Sequence, residues 1–119
     1  MPHLILEYSD NLNLQQKPLS PLFSALHDLL VEKLPTQLTH CKSRCISYPL
    51  YFIGDQNEKN ALVHLTIKIL AGRSDQIKSE VIDAALVLIN TFFKGHFELN
   101  IYTSVELIEL DSHYVKDLA

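Results

Sequence analysis

Apolar residues recur along this chain with two different periods, and the switching between those periods lays out its elements. Leu4, Leu6 and Tyr8 alternate with their neighbours behind Pro2, which predicts a strand over residues 2 to 8. Leu22, Phe23, Leu26, Leu29, Leu30 and Leu34 then form a stripe at helical spacing. Ser20 is placed as its N-cap, Pro21 at N1, and Pro35 ends it. Residues 38 to 47 alternate again and predict a second strand, followed by a turn-rich loop that ends at Asn60. Residues 61 to 70 read as a third strand. Ile77, Val81, Ala84, Ala85, Leu88 and Phe92 mark a second helix, capped by Ser74 and stopped near Gly95. A fourth strand follows near 98 to 110.

The order strand, helix, strand occurs twice, and the opening strands are alike: Pro2-His3-Leu4-Ile5-Leu6-Glu7 against Val63-His64-Leu65-Thr66-Ile67-Lys68. This predicts one domain over 1–119, built from internal repeats of about 1–58 and 59–119. A right-handed crossover in each unit makes its two strands parallel and puts both helices on one face of a four-stranded mixed sheet. On the third strand Val63, Leu65, Ile67 and Ile69 suit the helices. His64, Thr66 and Lys68 then face the other way, as do His3, Ile5 and Glu7 on the first strand. An uncovered mixed face with open strand edges is expected to be covered by further copies of the chain, which predicts a homo-oligomer.

Composition narrows the class of protein. Residues are 47% hydrophobic and the formal net charge is -4, with ten Lys and Arg residues scattered along the chain. That excludes the basic stripe of a nucleic-acid binder. The start carries no basic n-region, and no segment approaches the roughly 20 apolar residues of a membrane span, so a cytoplasmic protein is expected. Cys41 and Cys45 fall on one face of a strand, too far apart to bond each other. Neither they nor His3, His40 and His64 show a metal-ligand spacing, so no metal is expected.

Pro2 is the candidate centre of chemistry. If Met1 is removed, Pro2 becomes a secondary amine able to carry a proton. A two-fold relation between the units runs the first and third strands antiparallel and brings Pro2 beside Gly72-Arg73-Ser74. The early residues of the second strand lie at the same end, among them Lys42 and Arg44. Three cations around an amine lower its pKa, hold carboxylates and stabilise an enolate, which is a site for an acidic, enolisable small molecule. His3 and His64, equivalent in the repeat, are read as lining a subunit contact. His27, His96 and His113 are read as surface or helix-end residues. Tyr102, Tyr114 and Phe97 are candidates to reach a neighbouring copy's site.

Met1-Pro2-His3, Lys42-Ser43-Arg44, Val63-His64-Leu65-Thr66-Ile67-Lys68 and Ala71-Gly72-Arg73-Ser74 resemble the 5-carboxymethyl-2-hydroxymuconate isomerases of the tautomerase superfamily over nearly the whole chain. The resemblance implies a homotrimer of tautomerase-like β-α-β-β-α-β subunits that uses no cofactor. It implies an N-terminal proline that moves a proton from the enol of a 2-hydroxymuconate to a distant carbon of the conjugated system. It also implies a place in homoprotocatechuate degradation and, for Arg73, contact with the substrate's carboxylate end. Arg44 matches a family arginine, whereas Lys42 stands where the family has another; lysine keeps the charge and loses the planar fork. The rival readings are a trimeric binding or scaffold protein that kept the fold and a tautomerase acting on another 2-oxo acid.

Overall fold

The computed structural model of the protein describes residues 1–14, 18–95 and 98–119. Among these residues four strands form one sheet: β1 (His3–Ser9), β2 (Lys42–Tyr48), β3 (Asn60–Ile69) and β4 (Asn100–Glu109), in the order β2-β1-β3-β4. β1 runs parallel to β2 and antiparallel to β3, and β3 runs parallel to β4. Helices α1 (Ser20–Lys33) and α2 (Asp75–Phe93) connect the two parallel pairs. The expected α/β arrangement, a four-stranded mixed sheet carrying two helices, is the one observed.

The periodicities determine what is buried. Leu22, Leu26, Leu29 and Leu30 of α1 and Val81, Ala85, Ile89 and Phe93 of α2 are buried at intervals of three to four residues, the spacing of one helical face. They pack with Leu4 and Leu6 of β1 and with Val63, Leu65, Ile67 and Ile69 of β3. Each such Leu, Ile or Val taken out of water contributes roughly 1.5–3 kcal/mol before the entropy of ordering the chain is counted. The opposite face of the sheet carries His3, Ile5 and Glu7 from β1 and His64 and Lys68 from β3. Its polar groups satisfy one another: the Tyr48 hydroxyl donates to Glu7, and His64 lies 2.6 Å from Ser104 Oγ and 2.9 Å from Glu106 Oε1.

Local details differ from the sequence reading. Leu19, not Ser20, is the N-cap of α1, and Ser20 and Pro21 occupy the first helical turn. The cap makes no side-chain hydrogen bond, so proline's fixed φ sets the start of the helix. At its other end Leu34 is extended, as a residue before proline tends to be. Leu38–His40 form a 3-10 turn, so the second strand begins only at Lys42. Cys41 is consequently buried ahead of the strand rather than on a shared strand face, and both cysteines are free. His27 is neither a surface nor a helix-end residue: it sits half-buried within α1, 2.6 Å from Ser43 Oγ of β2. His113 is exposed, while His96 and Phe97 lie outside the described residues. Among the described residues no helix is long and apolar enough to cross a membrane, and no cluster of His, Cys, Asp and Glu could hold a metal.

Candidate functional site

The sheet register brings one end of three strands together. His3 pairs with Lys42 on one side and with Lys68 on the other, and the Lys42 backbone N–H donates to the Pro2 carbonyl at 3.1 Å. The head of β1 is therefore held beside the head of β2 and the tail of β3. Pro2 is fully buried and Met1 is 5% exposed. Beyond β3 the chain turns at Gly72, whose φ of 120° lies in a region side-chain-bearing residues rarely adopt. The turn delivers Arg73 just ahead of α2, whose first turn is capped by Ser74 Oγ accepting from the Ile77 N–H at 3.2 Å.

Arg73 is only partly satisfied there. Its Nη1 donates to the Leu70 carbonyl at 3.2 Å, while its Nε is buried with no hydrogen-bond partner. An orphaned buried donor costs about 1–3 kcal/mol, so the guanidinium gains from an acceptor brought by a ligand. Arg73 also lines an open cavity together with Pro35, Ala71, Gly72, Ser74 and Ile77.

The electrostatics of this end are one-sided. The terminal amine carried by Met1 has its pKa lowered below the ordinary 8.0, first by burial and then by Lys116, Arg73 and Lys42, with Cys41 opposing. Burial and like charge both disfavour the protonated amine. Burial also pushes the Cys41 thiol up. His3 is pulled down, chiefly by burial and then by Arg44 and Lys42.

Lys42 and Arg73 are thus brought to the amine and Arg44 is not. Arg44 pairs with Ile5, one step further along the sheet, and places Nη1 3.2 Å from His3 Nδ1 on the face without helices. The third cation is Lys116, which the sequence pattern does not mark. Its Nζ contacts the Met1 sulfur, and Tyr114 anchors the segment ahead of it by placing its hydroxyl 2.8 Å from His3 Nε2. Tyr114 thereby closes on its own subunit, with its ring edge-on to His3 at 5.8 Å. Tyr102 remains 60% exposed on the uncovered face of the sheet. The tail after Asp111 has no period, so only its single lysine among Tyr114, Val115 and Leu118 could have singled out Lys116.

A buried amine beside three cations, with an under-bonded guanidinium at a cavity, suits an anion and gives up its proton more readily than an ordinary terminal amine. The relatives are consistent with that chemistry. The family model for 5-carboxymethyl-2-hydroxymuconate isomerase matches residues 2–117. The chain is 32% identical over 111 residues, 92% of its own length and 87% of the relative's, to the 5-carboxymethyl-2-hydroxymuconate Delta-isomerase of Escherichia coli. A crystal structure of a 5-carboxymethyl-2-hydroxymuconate isomerase from Deinococcus radiodurans R1 superposes with a TM-score of 0.85 at 29% identity, covering 98% of this chain and 90% of that one. A structure described as a fused 4-OT wild-type symmetric trimer shares the fold at a TM-score of 0.65 and 16% identity, over 91% of this chain and 86% of the other. With its sheet, helices and nearly full length matched in this way, the chain belongs to the 5-carboxymethyl-2-hydroxymuconate isomerase family and is an isomerase.

Proposed function

We propose that the protein is a cofactor-free isomerase that converts a 2-hydroxymuconate-type dienol acid, 5-carboxymethyl-2-hydroxymuconate, into its unsaturated ketone, with Pro2 as the proton carrier. The observation that carries this reading is the lowered pKa of the terminal amine at the head of β1, caused by burial and by Lys116, Arg73 and Lys42. Removal of Met1 transfers that environment to the secondary amine of Pro2 and vacates the space the methionine fills. The amine removes the enol proton, the enol oxygen becomes a carbonyl, and the same proton carrier delivers a proton to the far carbon of the conjugated system. No atom is gained or lost. Arg73 donates its unpartnered Nε–H to a substrate carboxylate, and Lys42 contributes charge without bidentate geometry. Arg44, through His3, shapes the face of the sheet beside the site.

The same reading includes a cytoplasmic homotrimer acting in homoprotocatechuate degradation. Its support is the uncovered face of the sheet and the open edges of β2 and β4, which other copies would cover. Static light scattering at micromolar concentration is expected to give three times the subunit mass; a monomer contradicts the trimer.

The chemistry is tested by following ketonisation of 2-hydroxymuconate and its 5-carboxymethyl derivative in the ultraviolet, with protein shown by mass spectrometry to begin at Pro2. Pro2→Ala is expected to lower the rate by about a hundredfold or more, the low end of what a positioned acid-base group contributes. An unchanged rate removes Pro2 from the mechanism. The rate should also fall as pH drops through the lowered amine pKa, because protonation removes the base. A rate that climbs steadily toward acid is incompatible with an amine base.

A further inference from the structure

The tail after β4 contributes a cation to the site. Beyond Glu109 the chain is tied to β3 by the Leu110 N–H donating to the Ile69 carbonyl at 2.7 Å. It then passes over His3, where Tyr114 makes both a 2.8 Å hydrogen bond and an edge-on ring contact. Two residues later Lys116 reaches back to Met1 and touches its sulfur. No described ion pair includes Lys116, Lys42 or Arg73. Val115 and Leu118 on either side are more than nine-tenths exposed, so burial of apolar surface does not account for the course of the tail. The Tyr114 anchor and the lysine do.

We propose that Lys116 is a substrate-binding residue that engages a second carboxylate, and so selects polycarboxylates over monocarboxylates. The inference rests on the isomerase reading, since it takes Met1's seat for the substrate's. Loss of Met1 frees the Lys116 ammonium from its poor thioether partner and leaves it beside the space the methionine side chain filled. Arg73 lies at the β3–α2 turn and Lys42 at the head of β2. The three positive charges therefore come from three separate segments and can meet carboxylates at different places on one molecule. 5-Carboxymethyl-2-hydroxymuconate carries three carboxylates, two on the muconate chain and one on the carboxymethyl arm, whereas an arylpyruvate enol carries one. A lysine at this position discriminates between them because an ammonium left without its carboxylate gains nothing from the smaller ligand.

Two ligands of equal chain length isolate the second carboxylate: adipate, a dicarboxylate of muconate length that cannot isomerise, and hexanoate. Their binding is measured by calorimetry on protein that begins at Pro2, with Met1 removed in vitro by methionine aminopeptidase where it is retained. Lys116→Gln is expected to weaken adipate about tenfold and leave hexanoate unchanged, and Lys116→Arg to restore adipate. In turnover, Lys116→Gln should raise KM for the hydroxymuconate far more than it lowers kcat. It should also move the acid limb of the pH profile to higher pH, because removing one cation raises the amine pKa while Arg73, Lys42 and the opposing Cys41 remain. A merely structural tail residue moves neither the adipate-to-hexanoate ratio nor that limb. Equal adipate binding by native protein and Lys116→Gln, or no adipate binding by a native protein that turns over, overturns the inference. Lys116-dependent adipate binding without ketonisation leaves it standing and refutes the isomerase reading alone.

Discussion

The two ends of the sheet treat polar groups in opposite ways. At the far end, where β3 and β4 begin, Asn60 is 5% exposed and engages both side-chain groups. Its Nδ2 donates to the Ile53 carbonyl and to Asp55 Oδ1, each at 3.1 Å, and its Oδ1 accepts from Asn100 at 3.4 Å. Nearby the buried Ser9 hydroxyl accepts from the Leu62 N–H at 3.0 Å. At the near end, Lys42, Arg73 and Lys116 surround an amine, no described ion pair neutralises them, and the Arg73 Nε is unbonded. At the far end these buried side chains are paired internally, with one exception beside them: Asn11, whose Nδ2 donates to the Asn60 carbonyl, keeps its Oδ1 buried without a partner. The near end keeps like charges together, at a cost to stability that a carboxylate would relieve. A protein optimised for stability alone would pair these charges or move them apart.

Substitutions at the two ends should separate stability from activity. Arg73→Ala is expected to lower kcat/KM for the hydroxymuconate about 10- to 100-fold, the range of a charge-assisted hydrogen bond. Its unfolding free energy should be no lower than native, because the substitution removes an unpartnered buried donor and one of three like charges, and its acid limb should shift to higher pH with one cation fewer. Asn60→Ala is expected to do the reverse, costing about 1–3 kcal/mol in urea unfolding with KM unchanged. If Asn60→Ala impairs turnover as strongly as Arg73→Ala, the contrast between the ends collapses. The smallest expected effect is that of Lys42→Arg, a two- to fivefold lower KM worth under roughly 1 kcal/mol. No change would place Lys42 outside the contact with substrate.

The fold was readable because burial follows period. The alternation of Val63, Leu65, Ile67 and Ile69 and the stripe from Leu22 to Leu30 each admit one placement against a common core. Lys42 and Arg73 were readable for the same reason, since strand direction alone carries the head of β2 and the tail of β3 to Pro2. Arg44 shows where that reasoning stops: two residues along a strand keep the face but move about 7 Å along it, enough to exchange the amine for His3. Lys116 was not readable because its position depends on Tyr114 meeting His3, 111 residues away in sequence. A segment without periodicity offers no rule from which such a contact follows. The Leu38–His40 turn was hidden by an apparent alternation that continued into β2.

The central claim is that burial and three cations lower the pKa of an amine at Pro2. Its most direct test is a nitrogen-15 NMR titration of the Pro2 nitrogen in protein shown by mass to lack Met1. The expected result is a secondary amine titrating below the usual α-amino range of roughly 7.7–8.0. A nitrogen titrating at or above that range would contradict the account.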